Sequence, residues 1–213
     1  MKREAFIKRE TRETAIRLYL DLDGGSYGEE AAANTTRMVK NESGRRIDSG
    51  CGFLNHMLEL LSAHGGIWLE LSCRGDIDVD YHHTVEDCAI ALGEGLRQAL
   101  RDKRGICRYG SQLLPMDEAL VLVALDISGR SFLVYDAEIG PEKVGDFDCE
   151  LAEEFMQAFA RSAGVTLHIR KLTGHNAHHI IEAMFKGLGR ALSQAVKLDE
   201  SRAGELPSTK GMI

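Results

Sequence analysis

Apolar and polar residues alternate along several stretches of the chain, and stretches with helical periodicity separate them. Alternation favours half-buried strands, whereas apolar residues that recur every three to four positions favour amphipathic helices. In the first half, alternation predicts a strand at 14–22 that ends in a "DGGS" turn, and one or two strands at 67–80. A further extended stretch closes near residue 47 with "RRIDSG".

Helical periodicity predicts two helices in the first half. One covers 53–66 and ends at a Gly pair, which is a common helix stop. The other covers 84–102, with Thr84 as its N-cap. The second half repeats this order, with strands in 118–139 around an "SGR" turn, a helix at 148–164, a strand at 165–172 and a last helix at 178–197.

An internal repeat organises these elements. The pattern H-H-x-x-E occupies 82–86 and returns 96 residues later at 178–182, so two short segments hold four of the 8 histidines. A shift of 98 residues superposes the preceding helices, together with the Gly stop and the strand that follow them. The same shift places His56 on Glu154, and both are possible metal ligands.

Self-similarity at a fixed spacing indicates duplication. We therefore predict an α+β fold with two similar halves, each a β-sheet with helices packed on one face. The halves are expected to cover 1–105 and 106–213 and to form one compact unit.

Composition narrows the class of protein. The chain has 213 residues, of which 44% are apolar and 28% charged, and its net charge is −7. Scattered basic residues argue against a nucleic-acid partner, although they leave room for a local pocket that binds one phosphate. No apolar run reaches membrane-spanning length, and no signal-peptide pattern begins the chain. The 5 cysteines lack a C-x-x-C motif, so we expect a reduced, cytoplasmic protein.

The two H-H-x-x-E segments carry the candidate chemistry. On a helix, His at i and Glu at i+4 lie one above the other, so His82 pairs with Glu86 and His178 with Glu182. The adjacent His83 and His179 project about 100° away around the axis, since a turn holds about 3.6 residues. Each segment should therefore feed two different ions, which gives two sites that mix ligands from both halves.

The types of donor atom limit which metal ions these sites are expected to bind. Imidazole with carboxylate suits Mn, Fe, Co or Zn better than Ca, and the lack of nearby thiolates argues against a structural zinc site. The order also differs from the H-E-x-x-H of zinc proteases. Among the other histidines, His64 is expected either to reach the pocket or to cap its helix, His168 to be structural, and His175 to be solvated.

Several motifs together resemble one family. "RETAIRLYLDLDGG", "GFLNHMLELLSAHGG", "DYHHTVEDCAIALG", "GICRYGSQLLPMDEAL", "LDISGR", "TLHIRKLTGHNAHHIIEAMFKGLGRAL" and "PSTKG" are similar, in order, to imidazoleglycerol-phosphate dehydratases of histidine biosynthesis. The resemblance implies dehydration of imidazole glycerol phosphate to imidazole acetol phosphate. It also implies a shell of twenty-four subunits and two Mn ions in each site between subunits.

The resemblance implies a ligand set with two departures from the family pattern. Asn55 stands where Asp is commoner, and Glu154 stands where many members have His. An oxygen ligand is acceptable to Mn, so we expect the site to persist. The implied metal ligands are His56, His82, His83, Glu86, Glu154, His178, His179 and Glu182.

Catalytic and substrate-binding roles are also implied by resemblance. Glu13, Glu182 and His64 are the acid or base candidates, and Glu13 is preferred because a metal-bound glutamate is a poorer base. The tail "PSTKG" should fold over the substrate and be mobile in the empty site. The expected substrate and phosphate contacts are Glu13, His56, His64, His82, Glu86, Arg108, Arg130, His178, Lys186, Ser208, Thr209 and Lys210.

Two other functions remain open from the residues alone. One is a different dinuclear metalloenzyme, such as a hydrolase that releases phosphate. The other is a metal-storage shell, which would take up metal beyond two ions per site and would not need Arg108, Arg130 or Lys210. Taken singly, Glu13 and each basic residue is more often an ordinary solvated side chain.

Overall fold

Two four-stranded sheets share the same strand order and the same strand directions. This computed structural model describes residues 2–24, 46–140 and 142–212. The first sheet has the order β1-β2-β4-β3, and the second has β5-β6-β10-β7. The strands are β1 Glu4–Glu10, β2 Thr14–Asp21, β3 Ile47–Asp48, β4 Trp68–Gly75, β5 Tyr109–Met116, β6 Ala119–Asp126, β7 Phe132–Asp136 and β10 Thr166–Thr173.

Strand directions confirm the duplication. Within each sheet the first three strands are antiparallel, and the last strand is parallel to its neighbour. A small hairpin adds β8 Lys143–Val144 and β9 Phe147–Asp148. The α-helices are α1 Gly52–Gly65, α2 His82–Leu100, α3 Leu151–Ala163 and α4 Ala177–Val196, and a 3-10 turn follows at Glu200–Arg202.

The helices cover one face of the sheets because strands and helices present apolar residues at the periods of their own geometry. In β6, Val121, Val123 and Leu125 are buried while the intervening residues are partly exposed. Phe155 and Phe159, one turn apart on α3, are fully buried. Burying a side chain of this size stabilises the fold by about 1.5–3 kcal/mol.

Helix packing crosses between the halves. α1 of the first half packs against α4 of the second, and α3 of the second packs against α2 of the first. In each helix pair the two backbones approach closely at a glycine. A Cβ on Gly189 of α4 would lie 2.5 Å from the Leu61 carbonyl oxygen, and one on Gly93 of α2 would lie 2.8 Å from that of Phe159. The absence of a side chain therefore lets both helix pairs approach.

The predicted elements are confirmed with one correction. The stretch at 67–80, for which one or two strands were expected, holds one strand, β4, which ends at Gly75. Thr84 is not the N-cap, since α2 begins at His82, whose N–H donates to the Asp80 carboxylate, and Thr84 is buried. The N-terminal part of the "DGGS" turn is described, whereas residues 25 and 26 lie outside the described residues.

Four strands escaped the sequence analysis, namely β1, β5 and the two short strands β8 and β9 of the small hairpin. Both β1 and β5 are edge strands, where half of the pairing surface stays open and the apolar alternation is weak. Pro115 in β5 is tolerated at an edge for the same reason. The boundary between the halves at 105 stays a prediction. In the part of the chain that the structure covers, no helix has the length and apolar composition needed to cross a bilayer.

Candidate metal centres

One group of possible metal ligands joins the N-terminal turns of α1 and α4. His56 lies on α1, and His178 and Glu182 lie one turn apart on α4, with one donor atom of each within 4.8 Å of the others. The Glu182 Oε2 atom is 3.1 Å from His178 Nε2 and 3.6 Å from His56 Nε2. These three donors face a common point that can hold a cation.

Glu182 is the buried member of this group. Its side chain is 8% exposed, and its other oxygen, Oε1, lies 2.5 Å from Lys186 Nζ. Burial alone would raise the pKa of Glu182, but the hydrogen bonds and charges of Lys186 and His178 outweigh burial and lower it. The carboxylate is therefore ionised and suited to a metal ion at neutral pH.

A second group occupies the corresponding place on the other helix pair. His82 and Glu86 of α2 meet Glu154 of α3, again with donor atoms within 4.8 Å. Arg161 on α3 lies 2.8 Å from the Glu86 carboxylate. His56 and Glu154, which a shift of 98 residues superposes in the sequence, thus supply the third donor of equivalent groups.

His83 and His179 do not join either group. The Nδ1 atom of His83 lies 3.0 Å from Asp76, and that of His179 lies 2.7 Å from Glu118. The hydrogen bond that His83 donates to Asp76 raises the pKa of His83, and the hydrogen bond that His179 donates to Glu118 does the same for His179. Each imidazole therefore faces away from the ion position of its own segment.

Glu13 lies in the turn between β1 and β2, beside His83. Its Oε1 atom is 3.7 Å from His83 Nε2, and its side chain is 53% exposed. The turn is tied to α2 through Asp87, which is buried, accepts a hydrogen bond from the Thr14 hydroxyl and forms an ion pair with Arg9. Glu13 is thus exposed on a turn whose position is fixed.

Comparisons with known proteins show which family the chain resembles. A sequence profile of the family described as "Imidazoleglycerol-phosphate dehydratase" matches residues 49–192. A protein of that name from Xanthobacter autotrophicus is 53% identical over 211 residues, covering 99% of this chain and 98% of the relative. One from Oceanobacillus iheyensis is 52% identical over 211 residues, covering 99% of this chain and 100% of the relative.

Solved structures give the same result. The dehydratase of Staphylococcus aureus superposes with a TM-score of 0.77 at 36% identity, covering 92% of this chain and 99% of that chain. The Pyrococcus furiosus enzyme gives 0.76 at 34% identity, covering 97% and 100%. The chain belongs to the imidazoleglycerol-phosphate dehydratase family. Membership confirms the expected class, a hydro-lyase of histidine biosynthesis.

The two departures from the dehydratase family pattern have different surroundings. Asn55 is buried, and its Oδ1 atom accepts hydrogen bonds from the Ser49 N–H at 2.7 Å and from the Ser49 hydroxyl at 2.6 Å. It therefore anchors the segment that leads into α1 and does not face the ligand group. Glu154, in contrast, contributes a donor atom directly.

Within one chain of this dehydratase, the expected phosphate contact Arg108 lies far from the Glu182 group along α4. Arg108 holds Asp126 with two bonds of 2.7 and 3.1 Å and donates to the Pro207 carbonyl. The Arg108 backbone N–H donates a hydrogen bond to the carbonyl oxygen of Ala195, near the end of α4. At about 1.5 Å per residue, that position is about 20 Å along the helix from Glu182.

The remaining candidates divide between these two ends of α4. Arg130 lies 3.8 Å from Asp126, next to Arg108, and the tail residue Ser208 follows Pro207. Thr209 and Lys210 are exposed in the same tail. Lys186 instead lies at the metal group, through its contact with Glu182. One chain therefore does not bring the whole predicted phosphate pocket together.

The other histidines differ in their surroundings. His64, in the last turn of α1, is partly buried, and burial together with the positive charges of Lys186 and Arg190 lowers its pKa. His168 is exposed on β10, so it is not part of the core. His175 is 89% exposed, in agreement with the expected solvated position.

Sequence reasoning missed Asp76, Glu118 and Arg161, each of which contacts a candidate ligand. A signal existed for Glu118. It precedes the first residue of β6, as Glu13 precedes the first residue of β2, and the two lie 105 residues apart in equivalent turns. Asp76 and Arg161 have no such repeat partner in the sequence.

Proposed function

We propose that this chain converts D-erythro-imidazole glycerol phosphate into imidazole acetol phosphate, with two Mn²⁺ ions in each active site. The observation that carries the proposal is the pair of equivalent ligand groups, each built from both halves of the chain. Their imidazole and carboxylate donors suit Mn²⁺, and the groups include no thiolate. The five cysteines are free, which supports a reduced, cytoplasmic setting.

The reaction needs help because the hydroxyl that leaves is on the carbon beside the imidazole ring, and the proton that leaves is on the next carbon and is not acidic. The two ligand groups would hold the ions, and the bound ions would supply the Lewis acidity that lets the ring accept electrons. One C–H bond and one C–O bond break, and water leaves. The resulting enol then takes up its ketone form, so no oxidant or reductant is required.

Glu13 is the better candidate for the base. Its carboxylate lies outside both ligand groups and is 53% exposed, so it can approach a substrate carbon. Glu182 is 8% exposed and is held by His178 and Lys186. A carboxylate committed to cations is a weaker proton acceptor. Lys186 and His64, close to that group, offer positive charge and a donor to the substrate.

The active site is completed by neighbouring subunits. Each ligand group has three donors from one chain, and His83 and His179 present their Nε2 edges away from the groups of their own chain. Arg108 and Arg130 lie at the far end of α4 from Lys186, about 20 Å away along the helix. Packing of chains in a shell of twenty-four subunits would join these parts.

The deciding experiment is an assay of chelated protein with imidazole glycerol phosphate, with and without added Mn²⁺. We expect water loss that returns only with the metal, at two ions per chain. Phosphate release with the hydroxyl retained would identify a hydrolase. Metal uptake beyond two ions without turnover would identify a storage shell. His82→Ala and His178→Ala should each lose metal and activity, whereas the exposed His168→Ala should keep both.

Subunit sharing has its own test. Arg108→Ala chains and Lys186→Ala chains, carrying different tags, are co-expressed and purified through both tags. Each variant alone should be inactive. If the two residues act in one site contributed by different chains, mixed assemblies regain part of the activity. Inactive mixed assemblies would reject the shared site, with correct assembly checked by light scattering.

A further inference from the structure

Glu13 and Glu118 occupy equivalent turns but have different surroundings. Each precedes the first residue of the second strand in its hairpin, Thr14 in β2 and Ala119 in β6. Glu13 is 53% exposed, and its Oε1 atom approaches His83 Nε2 at 3.7 Å. The side chain of Glu118 is 30% exposed and makes several short contacts. Duplication therefore produced two glutamates with different surroundings.

Both carboxylate oxygens of Glu118 are committed. Oε1 accepts hydrogen bonds from the backbone N–H of Asn176 at 2.9 Å and from that of His175 at 3.3 Å. Oε2 lies 2.7 Å from His179 Nδ1. Because an ionised carboxylate only accepts hydrogen bonds, Nδ1 must carry the proton. In the neutral ring the lone pair is then on Nε2.

The same arrangement holds the other imidazole that lies outside the ligand groups. Asp76 binds His83 at Nδ1, with a distance of 3.0 Å, although Asp76 follows a different strand. The Nε2 atom of His83 lies 3.7 Å from Glu13, and the Nε2 atom of His179 lies 3.6 Å from Asp117. Both distances are beyond hydrogen-bond distance. A carboxylate on Nδ1 with Nε2 left for a metal is the usual support of a ligating histidine.

We propose that Glu118 is a positioning residue that fixes the tautomer and ring direction of His179, so that Nε2 is presented to a metal ion shared with a neighbouring subunit. Glu118 thereby supports a ligand, while its counterpart Glu13 stays exposed for proton transfer. Asp76 orients the imidazole of His83 in the same way. The inference rests on the proposed metal-dependent function.

Two substitutions at one position separate positioning from mere structural support. In Glu118→Gln, the backbone N–H groups of His175 and Asn176 keep the amide oxygen, so the NH₂ group faces His179 and donates to Nδ1. The proton of the neutral ring then moves to Nε2 and blocks the metal. In Glu118→Ala the backbone bonds are lost, but Nδ1 is free and both tautomers are accessible.

The measurement is Mn²⁺ affinity by titration calorimetry on chelated full-length protein, with assembly followed by light scattering. Supporting carboxylates typically contribute 10–100-fold in metal affinity. We expect Glu118→Gln to lose affinity in this range and to bind more weakly than Glu118→Ala. A purely structural role predicts the reverse order, because Ala removes the backbone bonds. An Ala variant as weak as Gln, or weaker, would overturn the proposal.

Two further variants complete the experiment. Glu13→Gln should bind Mn²⁺ as the wild type does, since Glu13 is not expected to hold a ligand. Asp76→Asn tests at His83 whether a carboxylate on Nδ1 supports metal binding, and it is the deciding variant if the Glu118 variants fail to fold. If Asp76→Asn binds Mn²⁺ as tightly as the wild type, the proposal is overturned. If the wild type itself binds no Mn²⁺, the proposed function fails. If it binds and only the order of the variants is reversed, this inference alone fails.

Discussion

Gly189→Ala should weaken the contact between α1 and α4 and, with it, the His56, His178 and Glu182 group. The added Cβ would lie 2.5 Å from the Leu61 carbonyl oxygen and 3.0 Å from the Gly65 nitrogen. Both obstacles are backbone atoms of α1, so no side-chain rotation relieves the clash. The two helices must separate, and the donor atoms that they carry must separate with them.

The expected change in the free energy of unfolding of Gly189→Ala follows from two opposing effects. Overpacking against a rigid neighbour costs about 1–3 kcal/mol, and the backbone obstacles place this change in the upper part of that range. Replacing Gly by Ala inside a helix returns about 1 kcal/mol. The net loss of unfolding free energy is then about 1–2 kcal/mol. For a chain of this size each kcal/mol lowers the melting temperature by about 2–4 °C.

A matched control is available on α2. A Cβ on Gly95 would meet the Leu18 Cδ2 atom at 3.1 Å, and this atom is the movable end of a side chain. Gly95→Ala should therefore be neutral or stabilising. Melting temperature and Mn²⁺ affinity are measured at one protein concentration for Gly189→Ala, Gly93→Ala and Gly95→Ala. Equal stability in all three, or destabilisation without loss of metal affinity, would refute the link between helix approach and ligand geometry.

Three further predictions concern the proposed chemistry. Glu13→Gln should lower kcat by at least about 100-fold without changing metal content, since general bases contribute about 10²–10⁴-fold; unchanged kcat would exclude Glu13 as the base. Arg108→Lys should raise KM by about tenfold or more, because Lys cannot keep both bonds to Asp126 and also offer a donor to phosphate, whereas Arg170→Lys on the exposed sheet face should not. Mn²⁺ at 100 times its Kd should stabilise the chelated protein by about 2.7 kcal/mol, and His178→Ala should remove most of this gain.

Residues that act within one helix were predictable from the sequence. His82 with Glu86 and His178 with Glu182 need only the i, i+4 geometry, and the structure brings both pairs into ligand groups. The third donors, His56 and Glu154, followed from the repeat. The edge strands β1 and β5 were not predictable by alternation, because an edge strand is only partly covered and its apolar signal is weak.

Contacts between distant segments were harder to predict, because the repeat has no single spacing. The hairpin turns are related by 105 residues, the helices α1 and α3 by 98, and α2 and α4 by 96, so the connections in the first half are longer. A search at one spacing therefore finds the histidines and misses the pairing of Glu13 with Glu118. Asp76 and Arg161 are recognisable only when the chain is folded.

One informative pair of repeated residues has no reactive side chain. Gly93 and Gly189 are separated by 96 residues, the same spacing as His82 and His178. At each position an added Cβ would meet backbone atoms of the helix from the other half. A ligand pair on one helix cannot close around an ion without a third donor from a neighbouring helix, and a neighbour can supply it only if the backbones approach. The glycines and the histidines therefore depend on each other, and selection for metal binding would act on both.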